Sequence, residues 1–384
     1  MTELRIPFNR PTSTGRELER LGECVRSGRL SGDGPFGKDC QELLEHATGA
    51  ARVLLTPSCT AALELAAFLV DIGPGDEVIV PAFTFVSTIN AFVIRGARPI
   101  FVDVELRTLN LDPGLVAAAI TPRTRAILPV HYGGIACAME KLVAIAAEHG
   151  IAIVEDNAHG LFATYRKQPL GSFGRLSTLS FHETKNFTCG EGGALVINDP
   201  QLCGRAEILR EKGTNRSRFL RGDIDRYSWV DVGSSYLPSE LQAAFLFAQL
   251  EERDAIQRAR KHIWQRYYAE LTPWASTNRV RLPHVPAECE PAYHLFHLVL
   301  PSSLACSALT RHLRRRSIAA VSHYPPLHLS EMGRKLGGQP GQCPVTEAAS
   351  ECLLRLPFYT SMSQGEQSEV IGAVLELNPV DAGA

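Results

Sequence analysis

Lysine is the residue this chain does nearly without: 7 of 384 residues, against 32 arginines. The preference for arginine hints at GC-rich coding and a natural-product pathway. Other absences narrow the field further. The 10 cysteines contain no Cys-x-x-Cys pair, which argues against a zinc knuckle or a redox dithiol. Free, mostly buried thiols in a reducing cytoplasm are expected instead. No apolar run reaches the roughly 18 residues that a membrane-spanning helix needs, and Met1 to Phe8 holds no signal-peptide core. The net charge is −2, so neither nucleic acid nor an anionic membrane is expected as a partner. There is no internal repeat and no low-complexity segment.

What is present suits a two-domain globular protein. The chain is 45% hydrophobic and 21% charged, enough to bury a sizeable core, and its length exceeds one ordinary domain. Short runs rich in Val, Ile and Leu recur at 52–56, 77–81, 99–104, 125–130, 151–155, 176–181 and 194–198. Helical stretches at 60–70, 88–95 and 139–149 lie between them. This alternation predicts an α/β fold with a mainly parallel sheet covered on both faces. Residues 237–271 read as one long helix or a helix pair. Prolines and polar residues then accumulate at 272–291, a plausible boundary. Beyond it, strands near 295–300 and 318–324 and helices near 304–316 and 366–377 suggest a smaller α+β domain. The expected division is 1–271 for the N-terminal segment and large domain, and 272–384 for the small C-terminal domain.

Against this background Lys185 stands out. It lies in Ser180-Phe181-His182-Glu183-Thr184-Lys185-Asn186, after an apolar strand and before the turn Gly190-Glu191-Gly192-Gly193. Upstream, Ile151-Ala152-Ile153-Val154 ends in Glu155-Asp156. A lysine amine that forms a Schiff base and a carboxylate that pairs with a pyridinium nitrogen are the two anchors of pyridoxal phosphate (PLP). Asp156 alone could equally be a helix-capping carboxylate. In open α/β sheets ligands bind beyond the carboxyl ends of the strands. There also stand Ser58-Cys59-Thr60, Phe85 and Ser180. Cys59 and Thr60 open a helix, where free backbone N–H groups and hydroxyls make an anion site fit for a phosphate, though a routine Ser/Thr cap reads the same way. Ser180 could add a hydroxyl, Phe85 could stack on a ring or be core, and His159 could reach the cofactor's phenolic oxygen or be an ordinary loop histidine.

Three other stretches compete for notice. Gly32-Asp33-Gly34-Pro35-Phe36-Gly37 satisfies G-x-G-x-x-G, but the polar, helix-like segment before it is not the strand that a dinucleotide site requires. Arg314-Arg315-Arg316 reads as a solvated helix face. Lys212-Gly213-Thr214-Asn215-Arg216-Ser217 reads as a solvated loop, a phosphate contact or a subunit contact.

With these residues in place, the chain resembles the sugar-nucleotide aminotransferases of the DegT/DnrJ/StrS type, which have the aspartate-aminotransferase fold (PLP fold type I). The resemblance runs from about Ile6 to Leu377. It rests on the Lys185 and Asp156 segments, Gly73-Pro74-Gly75-Asp76-Glu77-Val78, Pro129-Val130-His131-Tyr132-Gly133-Gly134 and Ser239-Glu240-Leu241-Gln242-Ala243-Ala244. The stretches 54–60, 180–186 and 210–217 are similar to the WecE-like branch, which aminates C4 of dTDP-4-keto-6-deoxy-D-glucose. The resemblance implies PLP as cofactor, cycling through pyridoxamine phosphate, with L-glutamate as donor and a dTDP-linked keto sugar as acceptor. It also implies a homodimer with shared active sites. Lys185 and Asp156 would be catalytic; Cys59 (through its backbone), Thr60 and Ser180 would hold the phosphate; Phe85 would stack on the ring. His159 stands where the family usually has glutamine, and Ser235 where many members have the asparagine that reaches the partner's phosphate. Tyr324, His328, Lys212 and Arg216 are weaker substrate candidates. No metal is expected. Lysine at 185 argues against the C3-dehydrases of the family, which carry histidine there. A C3-specific aminotransferase and a non-catalytic scaffold on the same fold remain as alternatives.

Overall fold

The computed structural model describes residues 4–378; Met1, Thr2 and Glu3, and residues 379–384 of the expected C-terminal domain, lie outside that range. The short Val-, Ile- and Leu-rich runs form seven strands of one sheet: β1 (Arg52–Thr56), β2 (Glu77–Pro81), β3 (Arg98–Val102), β4 (Thr124–Ile127) and β5 (Ala152–Asp156) come first. A minor hairpin, β6 (Thr164–Tyr165) and β7 (Gln168–Pro169), precedes the last two, β8 (Leu176–Ser180) and β9 (Gly193–Ile197). Their order is β1-β9-β8-β5-β4-β2-β3. Only β9 runs against its neighbours; the other pairs are parallel. β2, β5 and β9 are buried at every position, which explains why they read as unbroken apolar runs rather than alternating ones.

The expected strands are all present, and the expected helix at 139–149 has those bounds in the structure. The stretch 237–271 divides at Glu252 into the helices Glu240–Glu251 and Arg253–Thr277. The second runs on past residue 271 with Pro273 inside it, into the stretch expected to hold the domain boundary. Thr272 and Pro273 face solvent, where the loss of one backbone bond costs least, while Leu271, Trp274 and Ala275 are buried and hold the turn in place. These three residues pack in a second core with Phe296, Leu309, Leu354 and Val370, and Ile6 from the other end of the chain joins them. That core backs a small antiparallel sheet of β11 (His297–Val299), β12 (Val321–Ser322) and β13 (Leu353–Arg355), in the order β11-β13-β12. The remaining short strand, β10 (Cys289–Glu290), pairs with β6.

The glycine motif at residues 32–37 follows a helix, Glu17–Ser27, and not a strand. It wraps a side chain of the protein itself. The backbone N–H groups of Gly34, Phe36 and Gly37 donate to the buried carboxylate of Glu240 at 2.9–3.0 Å. A Cβ on Gly34 would lie 2.5 Å from that carboxyl group. A carboxylate thus occupies the kind of anion seat that a helix N-terminus offers.

Candidate active site

Because β1, β2, β5 and β8 run the same way, the segments that leave their carboxyl ends gather on one edge of the sheet. The small sheet closes over them. Between the two is a cavity of about 600 Å³. Of the residues singled out from sequence, Cys59, Thr60, Phe85, Asp156, His159, Ser180, Lys185 and Tyr324 all line it.

Lys185 sits in the loop that joins β8 to β9, half-buried, with its backbone N–H on the His182 carbonyl at 2.9 Å. Burial is the main cause that lowers its amine pKa. Asp156 is the last residue of β5. Thr88 Oγ1 donates to its Oδ2 at 2.7 Å, and the Ala158 N–H donates to its Oδ1 at 3.2 Å. Thr84 lies 2.8 Å from Thr88 and extends the chain of hydroxyls. Behind Asp156, the buried Glu155 accepts backbone N–H groups from Gly171, Phe173 and Gly174 at 2.7–2.9 Å, and His131 Nε2 is 3.0 Å away. The end of β5 is therefore fixed from both sides.

The helix Cys59–Leu69 is capped by Ser58, whose hydroxyl accepts from the Ala61 N–H. That leaves the first-turn N–H groups of Cys59 and Thr60 free for an outside anion. Thr60 Oγ1 donates to Ser87 Oγ at 2.9 Å. β9 crosses directly behind this turn: a Cβ on Gly193 would lie 2.4 Å from Cys59 N. Only glycine allows the strand to lie so close. Phe85 presents an exposed ring at the cavity, 6.4 Å from the Tyr324 ring.

Histidines and tyrosines form the far wall. The His159 ring stacks on His294 at 4.2 Å. The Gly133 N–H points at His159 Nδ1 at 3.3 Å, so neutral His159 carries its proton on Nε2. Asn186 Nδ2 donates to the Ala292 carbonyl, which turns its Oδ1 toward His294 Nδ1 at 2.8 Å. Burial, aided by the charge of Lys185, holds both histidines well below the usual pKa. His323, 3.1 Å from the Tyr132 hydroxyl, is pushed down to about 2, mainly by burial.

Four singled-out residues are not brought to this cavity. His328 is fully buried and bonds Glu347 at 3.0 Å. Lys212 and Arg216 both pair with Glu211 at 3.3 Å, and Ser235 forms a bridge with Glu211 on the same exposed excursion. Sequence reasoning passed over Arg355, His294, Asn9 and Thr88. Only Arg355 left a signal, as a charge breaking the apolar run Leu353-Leu354-Arg355-Leu356.

Residues 11–375 match the DegT/DnrJ/EryC1/StrS aminotransferase family. The chain belongs to that family. Relatives cover it almost end to end. The spore coat polysaccharide biosynthesis protein SpsC of Bacillus subtilis is 33% identical over 97% of each chain. Spr1654 of Streptococcus pneumoniae is 28% identical with a TM-score of 0.91 over 98% of both chains, and has been solved in PMP and PLP forms as well. The aminotransferase TlmJ of Streptoalloteichus hindustanus is 30% identical with a TM-score of 0.88 over 99% of each chain. Aminotransferases of this family use PLP, and the site fits it: a lysine and a carboxylate share one cavity, with free helix N–H groups backed by Gly193 and an open aromatic ring. Among the described residues, no cluster of three metal-binding side chains is present and no helix is long and apolar enough to cross a membrane.

Proposed function

We propose that this protein transfers an amino group from L-glutamate to a nucleotide-linked keto sugar, with dTDP-4-keto-6-deoxy-D-glucose as acceptor and a dTDP-4-amino-4,6-dideoxy sugar as product. The observation that carries this reading is the meeting of Lys185 and Asp156 in one cavity. The polysaccharide pathway of SpsC supports a sugar as substrate.

When bound, PLP supplies an aldehyde to carry the nitrogen and a ring that accepts electrons. The protein's part is done by its own side chains. Lys185, its amine made less basic by burial, would hold the aldehyde. Once displaced by the donor, its Nζ would take the proton from the carbon bearing the amino group and deliver it to the former aldehyde carbon, the reverse transfer serving the keto sugar. Asp156, steadied by Thr88 and Ala158, would face the ring nitrogen and keep it protonated. The N–H groups of Cys59 and Thr60, with the hydroxyls of Thr60 and Ser180, would hold the phosphate. Phe85 would cover the ring, and His159 would offer its Nε2–H to the phenolic oxygen. Tyr324 stands on the side left for substrate.

The protein acts as a homodimer in this reading. The excursion bearing Lys212, Arg216 and Ser235 also exposes Leu220, Tyr227 and Trp229, the last 78% exposed. Such a run of bare apolar side chains suits a subunit contact, at which those three polar residues would serve a partner's site.

The test is product analysis by NMR after incubation of the PLP-loaded protein with L-glutamate and the keto sugar. Ring couplings should report an amine at C4. Lys185→Ala should lose both turnover and the cofactor that borohydride fixes to the chain. An active Lys185→Ala protein would sink the proposal.

A further inference from the structure

Two imidazole rings lie face to face on the far wall of the cavity, and only one of them has a part in the reading above. His159 and His294 stack with their centres 4.2 Å apart and their planes 24° apart. Each is 8% exposed. His159 is held at its edge by the Gly133 N–H, 3.3 Å from Nδ1. One hydrogen bond leaves a ring free to turn about it; a second flat ring against its face removes that freedom.

His294 is fixed far more firmly. Asn186 spends its Nδ2 on the Ala292 carbonyl at 2.7 Å, so its Oδ1 is the atom that meets His294 Nδ1 at 2.8 Å. Nδ1 therefore carries the proton, and Nε2 is left with its lone pair. The buried Arg260 donates to the carbonyls of Tyr293 and His294 at 3.0 and 2.6 Å. The Ala292 N–H closes on the Gly134 carbonyl at 3.0 Å. Packing is tight there: a Cβ on Gly134 would lie 2.7 Å from both the Ala292 Cβ and the His159 carbonyl oxygen. The turn that gives His159 its edge contact thus also docks the segment that gives it a face.

Both rings stay neutral. Burial is the first cause; Lys185, His323 and Arg355 face both rings and oppose a further proton, as do His294 toward His159 and Arg260 toward His294. The neutral forms differ in what they offer. His159 presents an Nε2–H and can donate to an oxygen anion, whereas His294 presents a lone pair and cannot. Asn186 directly follows Lys185, so the loop that carries the reactive amine also sets the second ring. We propose that His294, oriented by Asn186, is a positioning residue that holds the plane of His159 and keeps its Nε2–H on the phenolic oxygen of the cofactor. The proposal rests on the PLP reading of the cavity.

That oxygen shares the proton of the Schiff-base nitrogen, and a donor that draws charge from it makes the nitrogen less basic. The test therefore titrates the absorbance of the PLP-loaded protein with pH. His159→Phe should raise the pH at which the Schiff base loses its proton by about 1–2 units, the worth of one hydrogen bond to a charged group. His294→Leu fills the space without a flat face and should raise it by about 0.3–1 unit, the worth of one ring stack. His294→Phe restores the face and should titrate close to the unaltered protein. In the double variant, His294→Leu should add nothing to His159→Phe. A His294→Leu protein that titrates like the unaltered one, or a shift that adds in full to that of His159→Phe, would overturn the assignment. No shift with His159→Phe would overturn it together with the His159 contact. Failure of the aminotransferase reading shows differently, as absorbance that does not depend on Lys185.

Discussion

Asp156 owes its orientation to neighbours of ordinary kind: a threonine hydroxyl on one oxygen and a backbone N–H on the other. The two variants that probe it should therefore differ in size. Asp156→Asn keeps the shape but gives up the charge, and the rate with a saturating donor should fall by about 10² to 10³, as usual for loss of one preorganised electrostatic partner. Thr88→Val removes a single hydrogen bond and should cost about fivefold. Steady-state kinetics at full cofactor occupancy check both; a Thr88 variant as slow as Asp156→Asn would mean that Thr88 does more than steady the carboxylate. At this scale the sequence was informative where chemistry forces a residue type. Lys185 and Asp156 could be singled out because few side chains suit the work proposed for them, and both line one cavity. Thr88 could not, and Arg355 showed only as a charge in an apolar run, because their surroundings lie across space: Asp156 for one, Phe8 and Ser322 for the other.

At the scale of elements, glycine decides how closely the parts can approach. Gly193 opens β9 directly behind the first turn of the helix Cys59–Leu69. Gly193→Ala forces a Cβ into the backbone of Ser58 and Cys59, and should cost about 1–3 kcal/mol of stability. It should also weaken PLP retention, since the displaced N–H groups belong to the proposed phosphate seat. Thermal melts and equilibrium dialysis of the cofactor would reveal both effects, and an alanine variant with neither would contradict the close approach. The glycines at 32–37 teach the converse lesson. Their spacing alone suggested a nucleotide, the absent strand argued otherwise, and the structure supplies the reason they are there: the carboxylate of Glu240. Strands were legible because burial on both faces writes them as continuous apolar runs. The passage of a helix through Pro273 was not, because the prolines and polar residues from 272 onward mark a boundary in sequence, while the flanking Leu271 and Trp274 are buried against residues far away in the chain.

The whole molecule carries a liability to acid. His159, His294, His297 and His323 all titrate below the ordinary value of 6.5, with burial the first cause in each case. The unfolded chain therefore takes up protons first as the pH falls. This contribution to stability is complete above about pH 6.5 and drains away below it, down to about 3 for His297 and about 2 for His323. Each histidine can remove at most about 1.4 kcal/mol per pH unit. The urea midpoint of the cofactor-free protein should fall steeply from pH 6.5 to 5, and His297→Phe should flatten that slope. A midpoint that stays level across this range would contradict the buried, neutral histidines.

Ile6 pairs with Ile318, Phe8 accepts the Phe358 N–H and lies beneath Arg355, and Asn9 reaches the Glu183 carbonyl in the lysine loop. The ribosome makes these first residues long before most of their partners. During synthesis the large sheet can gather Lys185 and Asp156 while the leading segment is still unmoored, since the strands it must meet have not been translated. The cavity is thus finished in the reverse of reading order, its earliest residues waiting on its latest, and a message cut short before codon 294 would encode Lys185 and Asp156 without His294, His323, Tyr324 and Arg355, which line the opposite side of the cavity.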